Sequence, residues 1–301
     1  GKIGTNEYRT NISTLKRIAN CDFANLPIEK VKKEHIEEFL EDEMEKSNSI
    51  IKKDYGMLAR IYDYAEENDY IKKNFFRGFN KIEKTQSKIA TKQVIPMTFD
   101  EERRFKEYLQ NDIHPFKNLV IIELFTGMRL GETLALSISD VDINSNTIRV
   151  SKILTHDENH KPYIHESSLS QTKDGARLVQ INDVFKNSVI ESISNAEINE
   201  ENKDKLLFCQ SNGSLILESS VNSYLKKVAK EIGLSYWKQF SLHRLRHTFA
   251  TRCIEAGMQA VVLQKILGHK DISVTLNTYT SVFHKFKQNE IEKVTNYLQM
   301  F

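Results

Sequence analysis

Apolar side chains recur at intervals of three and four through the first part of the chain, the period of a helix with one buried stripe. Tyr8, Ile12, Leu15 and Ile18 predict one helix and Ile36, Phe39 and Leu40 a second; Ile51, Tyr55, Leu58, Ile61, Tyr62 and Ala65 predict a long third. Pro27 marks a turn between the first two, and Ser47-Asn48-Ser49 offers an N-cap for the third. This helical pattern runs over residues 1–84 and defines a first domain. It then lapses: residues 85–97 are polar and basic with little periodicity and read as a linker.

The second domain is expected over residues 98–301. Thr98-Phe99-Asp100-Glu101 has the form of a capping box opening a helix. Leu119 to Phe125 is an apolar, helix-like run that ends at Thr126-Gly127-Met128-Arg129-Leu130-Gly131-Glu132. The period then changes to two: Thr147-Ile148-Arg149-Val150 and Arg177-Leu178-Val179-Gln180-Ile181 alternate as strands. Between them lies an interval long enough for an extra hairpin, with polar turns at His156-Asp157-Glu158-Asn159 and Thr172-Lys173-Asp174-Gly175. Helices resume from Val221 to Ile232, from Ser241 to a C′ glycine at Gly257, and from Ala260 to Leu267, stopped by Gly268. The fold class expected is mainly α with a small antiparallel β-sheet.

Composition narrows this picture. The chain has 301 residues, enough for two cores, and its 40% apolar and 28% charged content is that of an ordinary globular protein. No apolar run approaches the roughly 20 residues needed to cross a bilayer, so no membrane role is expected. The three cysteines, Cys21, Cys209 and Cys253, are far apart, which fits a reducing cytoplasm better than a disulfide framework. Net charge is only +2, with 18 basic and 16 acidic side chains before a cut at residue 97 and 25 of each after it. Bulk charge therefore does not announce a nucleic-acid binder, and any DNA affinity requires charges sorted onto one face.

The chemistry is concentrated near the C-terminal end. His243 and Arg246 stand at i and i+3 of a predicted helix, so both can face one target. A guanidinium fork suits phosphate oxygens, and an imidazole can donate to them or move a proton. Arg129 is a second candidate for the clamp, with Glu132 three residues on to hold it. Lys173, at a turn between strands, is placed to protonate a departing oxygen. His269 follows a helix-ending glycine, and Tyr279 needs a cationic surround or a base to become a nucleophile at neutral pH. Histidines 156, 160 and 165 lie near Asp157 and Glu158 but lack a recognisable ligand spacing. There is no phosphate-binding glycine loop and no H-E-x-x-H motif, so neither a metal nor a cofactor is expected.

The order Arg129, Lys173, His243-x-x-Arg246, His269, Tyr279 strongly resembles the tyrosine recombinase (phage integrase) family. Thr126 to Glu132 looks like that family's first arginine box, and His243-Arg244-Leu245-Arg246-His247-Thr248-Phe249-Ala250-Thr251 like its second. Leu267-Gly268-His269-Lys270-Asp271, leading to Tyr279-Thr280, resembles the nucleophile region, and Gln171 to Gly175 the hairpin lysine. The helical first part looks like a core-site DNA-binding domain ending in Ile71-Lys72-Lys73-Asn74-Phe75. The segment from about Ser151 to Ser170 is longer than in many members. The resemblance is closest to integrases of conjugative transposons, whose further N-terminal domain for arm-type sites is expected to be absent here.

The resemblance implies a helical core-site domain joined to an α+β catalytic domain, the two closing on duplex DNA at crossover core sites. It implies that Tyr279 attacks a phosphodiester held by Arg129, Arg246, His243 and His269, leaving a 3′-phosphotyrosine, with Lys173 as acid for the 5′ oxygen. Two exchanges through a Holliday junction in a homo-tetramer, with DNA-bending accessory proteins as further partners, complete the expected reaction. The tail 283–301 carries Phe286, Ile291, Val294 and Leu298 at near-helical spacing, suited to docking on a neighbouring subunit or on its own domain. Relaxation of the type IB topoisomerase kind, chromosome-dimer resolution, and a regulator that has lost catalysis are the competing readings.

Overall fold

The computed structural model describes residues 5–78, 95–157, 159–166, 176–279, 282, 295 and 297–299. The predicted linker lies almost wholly outside them, as do Lys173 and most of the tail. The chain divides into two compact units, Gly1–Gln93 and Val94–Phe301.

The first unit is helical. Helix α1 spans Thr5–Ala19, α2 Lys33–Asp42 and α3 Asn48–Glu67. Its core gathers Ile18, Phe23, Ile36, Phe39, Leu40, Tyr55, Leu58, Tyr62 and Phe76. The predicted stripe of α2 and α3 is the buried one, but that of α1 is only partly so. Tyr8 is 48% exposed and Leu15 is exposed, whereas Thr14 is buried with Ile18. The reason lies in α3, where Asp54 is fully buried and draws Arg17 across: the Arg17 Nε donates to both Asp54 oxygens at 3.1 and 3.2 Å. That pair turns the Thr14–Ile18 side of α1 inward. Ser47 is the N-cap residue of α3 as expected, but its side chain makes no capping bond.

The second unit opens with α4 (Phe99–Asn111), whose predicted capping box is complete. Thr98 Oγ1 accepts the Glu101 N–H at 3.2 Å, and Glu101 Oε2 accepts the Thr98 N–H at 2.8 Å. Helix α5 (Lys117–Thr126) is apolar on nearly every side because it is the unit's central element, packed between α7 (Asp183–Ser194) and α9 (Leu242–Glu255). Between these come α6 (Leu130–Leu134) and the strands β1 (Val141–Asp142), β2 (Thr147–Val150), β3 (Lys152–His156), β4 (Pro162–Glu166) and β5 (Arg177–Gln180). Strands β1, β2 and β5 form one antiparallel sheet, with Thr147 opposite Gln180 and Val150 opposite Arg177. The long interval does hold a hairpin, β3 against β4, in the register Lys152 opposite Glu166 and His156 opposite Pro162. Helix α8 (Glu218–Glu231) precedes α9, and α10 (Ala260–Leu267) and α11 (Ile272–Thr278) follow it.

Two helix stops near the site are glycines in the left-handed region, where a side chain would be strained. After α9, Gly257 (φ 90) lets the Met258 N–H reach Cys253 O at 2.9 Å. After α10, Gly268 (φ 66) lets the His269 N–H reach Gln264 O at 3.1 Å. The second turn fixes the backbone of His269 against the end of its own helix.

Candidate active site

A third left-handed glycine starts the site. Gly127 (φ 61) ends α5 and turns the chain into Arg129; a Cβ there would lie 2.4 Å from the Phe249 ring. Arg129 then stands at the N-cap of α6, and Glu132 sits at its third position. Glu132 Oε2 accepts the Arg129 backbone N–H at 2.9 Å, and Oε1 accepts Arg129 Nη1 at 3.1 Å. The spacing that singled out Glu132 is thus a helix cap as well as an ion pair.

Glu132 also receives a second guanidinium, one not anticipated from the sequence. Arg177 on β5 donates from Nη1 to Oε1 at 3.0 Å and from Nη2 to Oε2 at 2.6 Å, and its Nε donates to Ile266 O at 3.0 Å. Glu132 is 2% exposed. Burial alone would raise its carboxyl pKa, but the Arg177 fork, with Arg129, holds it below the usual range. The carboxylate is therefore a fixed anion between two arginines.

The C-terminal end of α10 completes the frame. Its last carbonyls have no helical partner and sit at the negative end of the helix dipole. Arg246 fills that need: Nη2 donates to Leu267 O at 2.8 Å and Nη1 to Gly127 O at 2.6 Å. Arg129 donates more weakly to Leu267 O and Gly268 O, at 3.3 to 3.4 Å. Both guanidiniums are thus aimed by backbone carbonyls, a support that no side-chain substitution removes. Arg246 is 5% exposed; burial first, and the charge of Arg129 second, push its pKa down to about 10, so it stays cationic at neutral pH.

His269 meets Arg246 at 2.9 Å through Nε2 and Thr275 Oγ1 at 2.8 Å through Nδ1. A guanidinium only donates, so Nε2 accepts and Nδ1 carries the hydrogen. Burial, then Arg246 and Arg129, push its pKa down to about 4. His243 Nε2 lies 3.0 Å from His247 Nε2 across edge-on rings. Both are pushed below the ordinary histidine value by burial first, His247 to about 4. At neutral pH these imidazoles are uncharged, and a neutral imidazole can take a proton.

Arg129, His243, Arg246 and His269 line one cavity of about 370 Å³, together with Glu123, Met128, Asn222 and Ser241. Tyr279 is not part of its lining. It is 4% exposed and belongs to a small apolar core with Ala250, Cys253, Ile254, Leu263 and Leu267. The His247 ring lies 5.4 Å from the Tyr279 ring. Burial pushes the phenol up to about 12, against the pull of Arg246. Lys173 lies outside the described residues. Of the three histidines considered for a metal, His156 and His165 stand on β3 and β4, and among the described residues no group of three His, Cys, Asp or Glu side chains is placed to hold an ion.

Three site residues escaped the sequence reading. Arg177 had no local signal beyond strand alternation. His247 stands four residues after His243, the spacing of one helix face, and that signal was there to use. Glu123 was visible as a carboxylate inside an apolar helix. It lines the cavity, is fully buried, and burial pushes it up to about 8.

The chain is similar to known proteins in sequence and in fold. The family model described as the phage integrase family matches residues 96–285. The chain is 27% identical over 276 residues to the protein named Tyrosine recombinase XerC-like of Caldanaerobacter subterraneus subsp. tengcongensis, covering 83% of this chain and 67% of that protein. It is 26% identical over 231 residues to the transposase of transposon Tn916 from Enterococcus faecalis, covering 74% of this chain and 56% of that one. Among solved structures, the Tn1549 transposon integrase in complex with transposon right end DNA is similar over 98% of this chain and 95% of its own, with TM-score 0.83 and 25% identity.

Proposed function

The chain belongs to the phage integrase family, a family of tyrosine recombinases that cut and rejoin DNA, and on that premise we propose how its residues divide the work. The observation that carries the proposal is the convergence of Arg129, His243, Arg246 and His269 on one cavity with two guanidiniums held by backbone carbonyls. Such a cavity suits the nonbridging oxygens of a scissile phosphate, where developing charge needs fixed donors. Arg129 and Arg246 bind the phosphate, and Glu132 with Arg177 keeps Arg129 in place. His269 accepts from Arg246 through Nε2 and so holds that guanidinium toward the phosphate. The Tyr279 oxygen attacks phosphorus, its proton passing to neutral His243. The phosphorus–O5′ bond breaks, and Lys173 protonates the leaving oxygen. A partner strand's hydroxyl reverses the step.

For this attack Tyr279 must leave its apolar core and enter the cavity, where the arginines lower the cost of the phenolate. Duplex DNA at crossover core sites is the substrate, and two exchanges through a Holliday junction in a homo-tetramer complete recombination. The first unit serves as the core-site DNA-binding domain, in the cytoplasm, and the tail 283–301 docks in the assembly. Among the described residues no helix is long and apolar enough to cross a membrane.

The test is a nicked duplex carrying a candidate crossover site, resolved on a denaturing gel. A covalent adduct with the natural chain and none with Tyr279→Phe supports the assignment. An adduct that persists in Tyr279→Phe sinks it.

A further inference from the structure

The division of labour above leaves Glu123 without a task. It lies near the end of α5 and lines the cavity that Arg129, His243, Arg246 and His269 share, yet it has no exposed surface. Its Oε1 accepts the hydroxyl of Thr133. Among the described residues nothing donates to its Oε2. The guanidiniums turn elsewhere: Arg246 to Gly127 O, Leu267 O and His269, and Arg177 to Glu132 and Ile266 O. An ionised carboxylate here would be a desolvated charge with a single hydroxyl donor. Proteins resolve that situation by keeping the proton.

We infer that Glu123 is a positioning residue that sits as an uncharged acid beside the phosphate cavity and leaves the charge of Arg246 undivided for a DNA phosphate. This rests on the role proposed for the cavity. The physical point is the sign of the local field. Glu132 already places one fixed anion behind the arginines. A second anion at Glu123 would repel the incoming phosphate and draw on the same guanidinium. Binding of an anion and ionisation of Glu123 therefore oppose each other, and by linkage each unit of pKa coupling is about a tenfold change in affinity.

The groups facing Glu123 make the pH window specific. Thr133 and Glu132 come from α6, Arg246 from α9 and Arg177 from β5. From α7, Glu191 accepts from Asn118 Nδ2 of α5 at an exposed position. Burial, above all, pushes Glu123 up to about 8, with Thr133 pulling it down and Glu132 pushing it further up. Glu132 is held anionic far below this range and Arg246 loses charge only near about 10. Between them, Glu123 is the group among these that changes state.

Sulfate is a suitable probe, because its charge does not change over the range. Its affinity for the full chain is measured by NMR titration from about pH 6 to about pH 9.5. The expected result is a fall of roughly tenfold through about pH 8, absent in Glu123→Gln. In Thr133→Val, which removes the hydroxyl that stabilises the anion, the fall moves to higher pH. A thermal melt of each variant checks folding, and Thr133→Val keeps the test alive should Glu123→Gln unfold. The inference is overturned by an equal fall in Glu123→Gln, by a flat profile in the natural chain, or by weak binding of Glu123→Gln at every pH. The expected sulfate profiles without a Tyr279 adduct on DNA would support the charge role and overturn the cavity's part in strand cleavage.

Discussion

Two successive stretches of one helix face behave in opposite ways. The first turns of α9 present His243 and Arg246 to the polar cavity, where nearly every donor has an assigned acceptor and the charges are already in place. The next turns present Ala250, Cys253 and Ile254 to an apolar core that encloses Tyr279. The proposed phosphate clamp is assembled, whereas Tyr279, the proposed nucleophile, is held as a neutral phenol with its pKa at about 12. The difference teaches that preorganisation in this chain is confined to the groups that gain from it. Guanidiniums can be held by helix-end carbonyls with their charge kept, but a phenolate has no counterion in the apolar core, so the proposed attack requires it to form in the cavity.

The sharpest way to separate the two stretches is Tyr279→Phe. It is expected to abolish covalent adduct on a nicked duplex, a loss of at least about a thousandfold. Its stability in chemical denaturation should stay within about 1 kcal/mol, since the ring remains packed. Arg246→Ala breaks the other stretch. Adduct formation should fall by about a hundredfold to a thousandfold. Stability should fall by about 1–3 kcal/mol, because Gly127 O loses the Arg246 donor and Leu267 O keeps only the weaker bond from Arg129.

Arg177→Ala tests the frame rather than the clamp. It leaves Glu132 buried with only Arg129 beside it, and denaturation should show a loss of about 3–5 kcal/mol, the range for breaking a buried pair. Unchanged cleavage by the folded variant would refute the positioning role given to this residue. The pH response sharpens the contrast further. His247 and His269 have pKa values of about 4 in the fold against an ordinary 6.5. Between those values the unfolded chain binds more protons, so stability must fall as pH falls from about 6.5 towards about 4. Denaturation at about pH 7 and about pH 5 measures this, and His247→Asn should reduce the difference. The smallest effect is expected for Thr275→Val, which takes the acceptor from His269 Nδ1: stability within about 1 kcal/mol and a modest loss of cleavage rate.

Much of this was legible from local spacing. The capping box at Thr98 and Glu101, the C′ glycine Gly257, the two alternating strands β2 and β5 and the room for an inserted hairpin all follow from side chains a few residues apart. The same holds for Arg129 with Glu132, and for His243 with Arg246, because i and i+3 meet on a helix whatever the rest of the chain does. Reading α1 from its apolar residues alone misjudged its buried face, since a buried aspartate on α3 decides which side of that helix turns inward.

The sequence by itself determined many of the elements and their ends, and the helix-spaced pairs Arg129 with Glu132 and His243 with Arg246, for these depend on local dihedral preferences and on residue identity. Only the tertiary structure decided that Arg177 reaches across from β5 to Glu132, that the carbonyls ending α10 aim both arginines, that Glu123 is enclosed beside the cavity, and that Tyr279 is kept in an apolar core. Each of these is a contact between segments far apart in the chain. Charge and proton affinity there are set by burial and by neighbours that no local pattern contains.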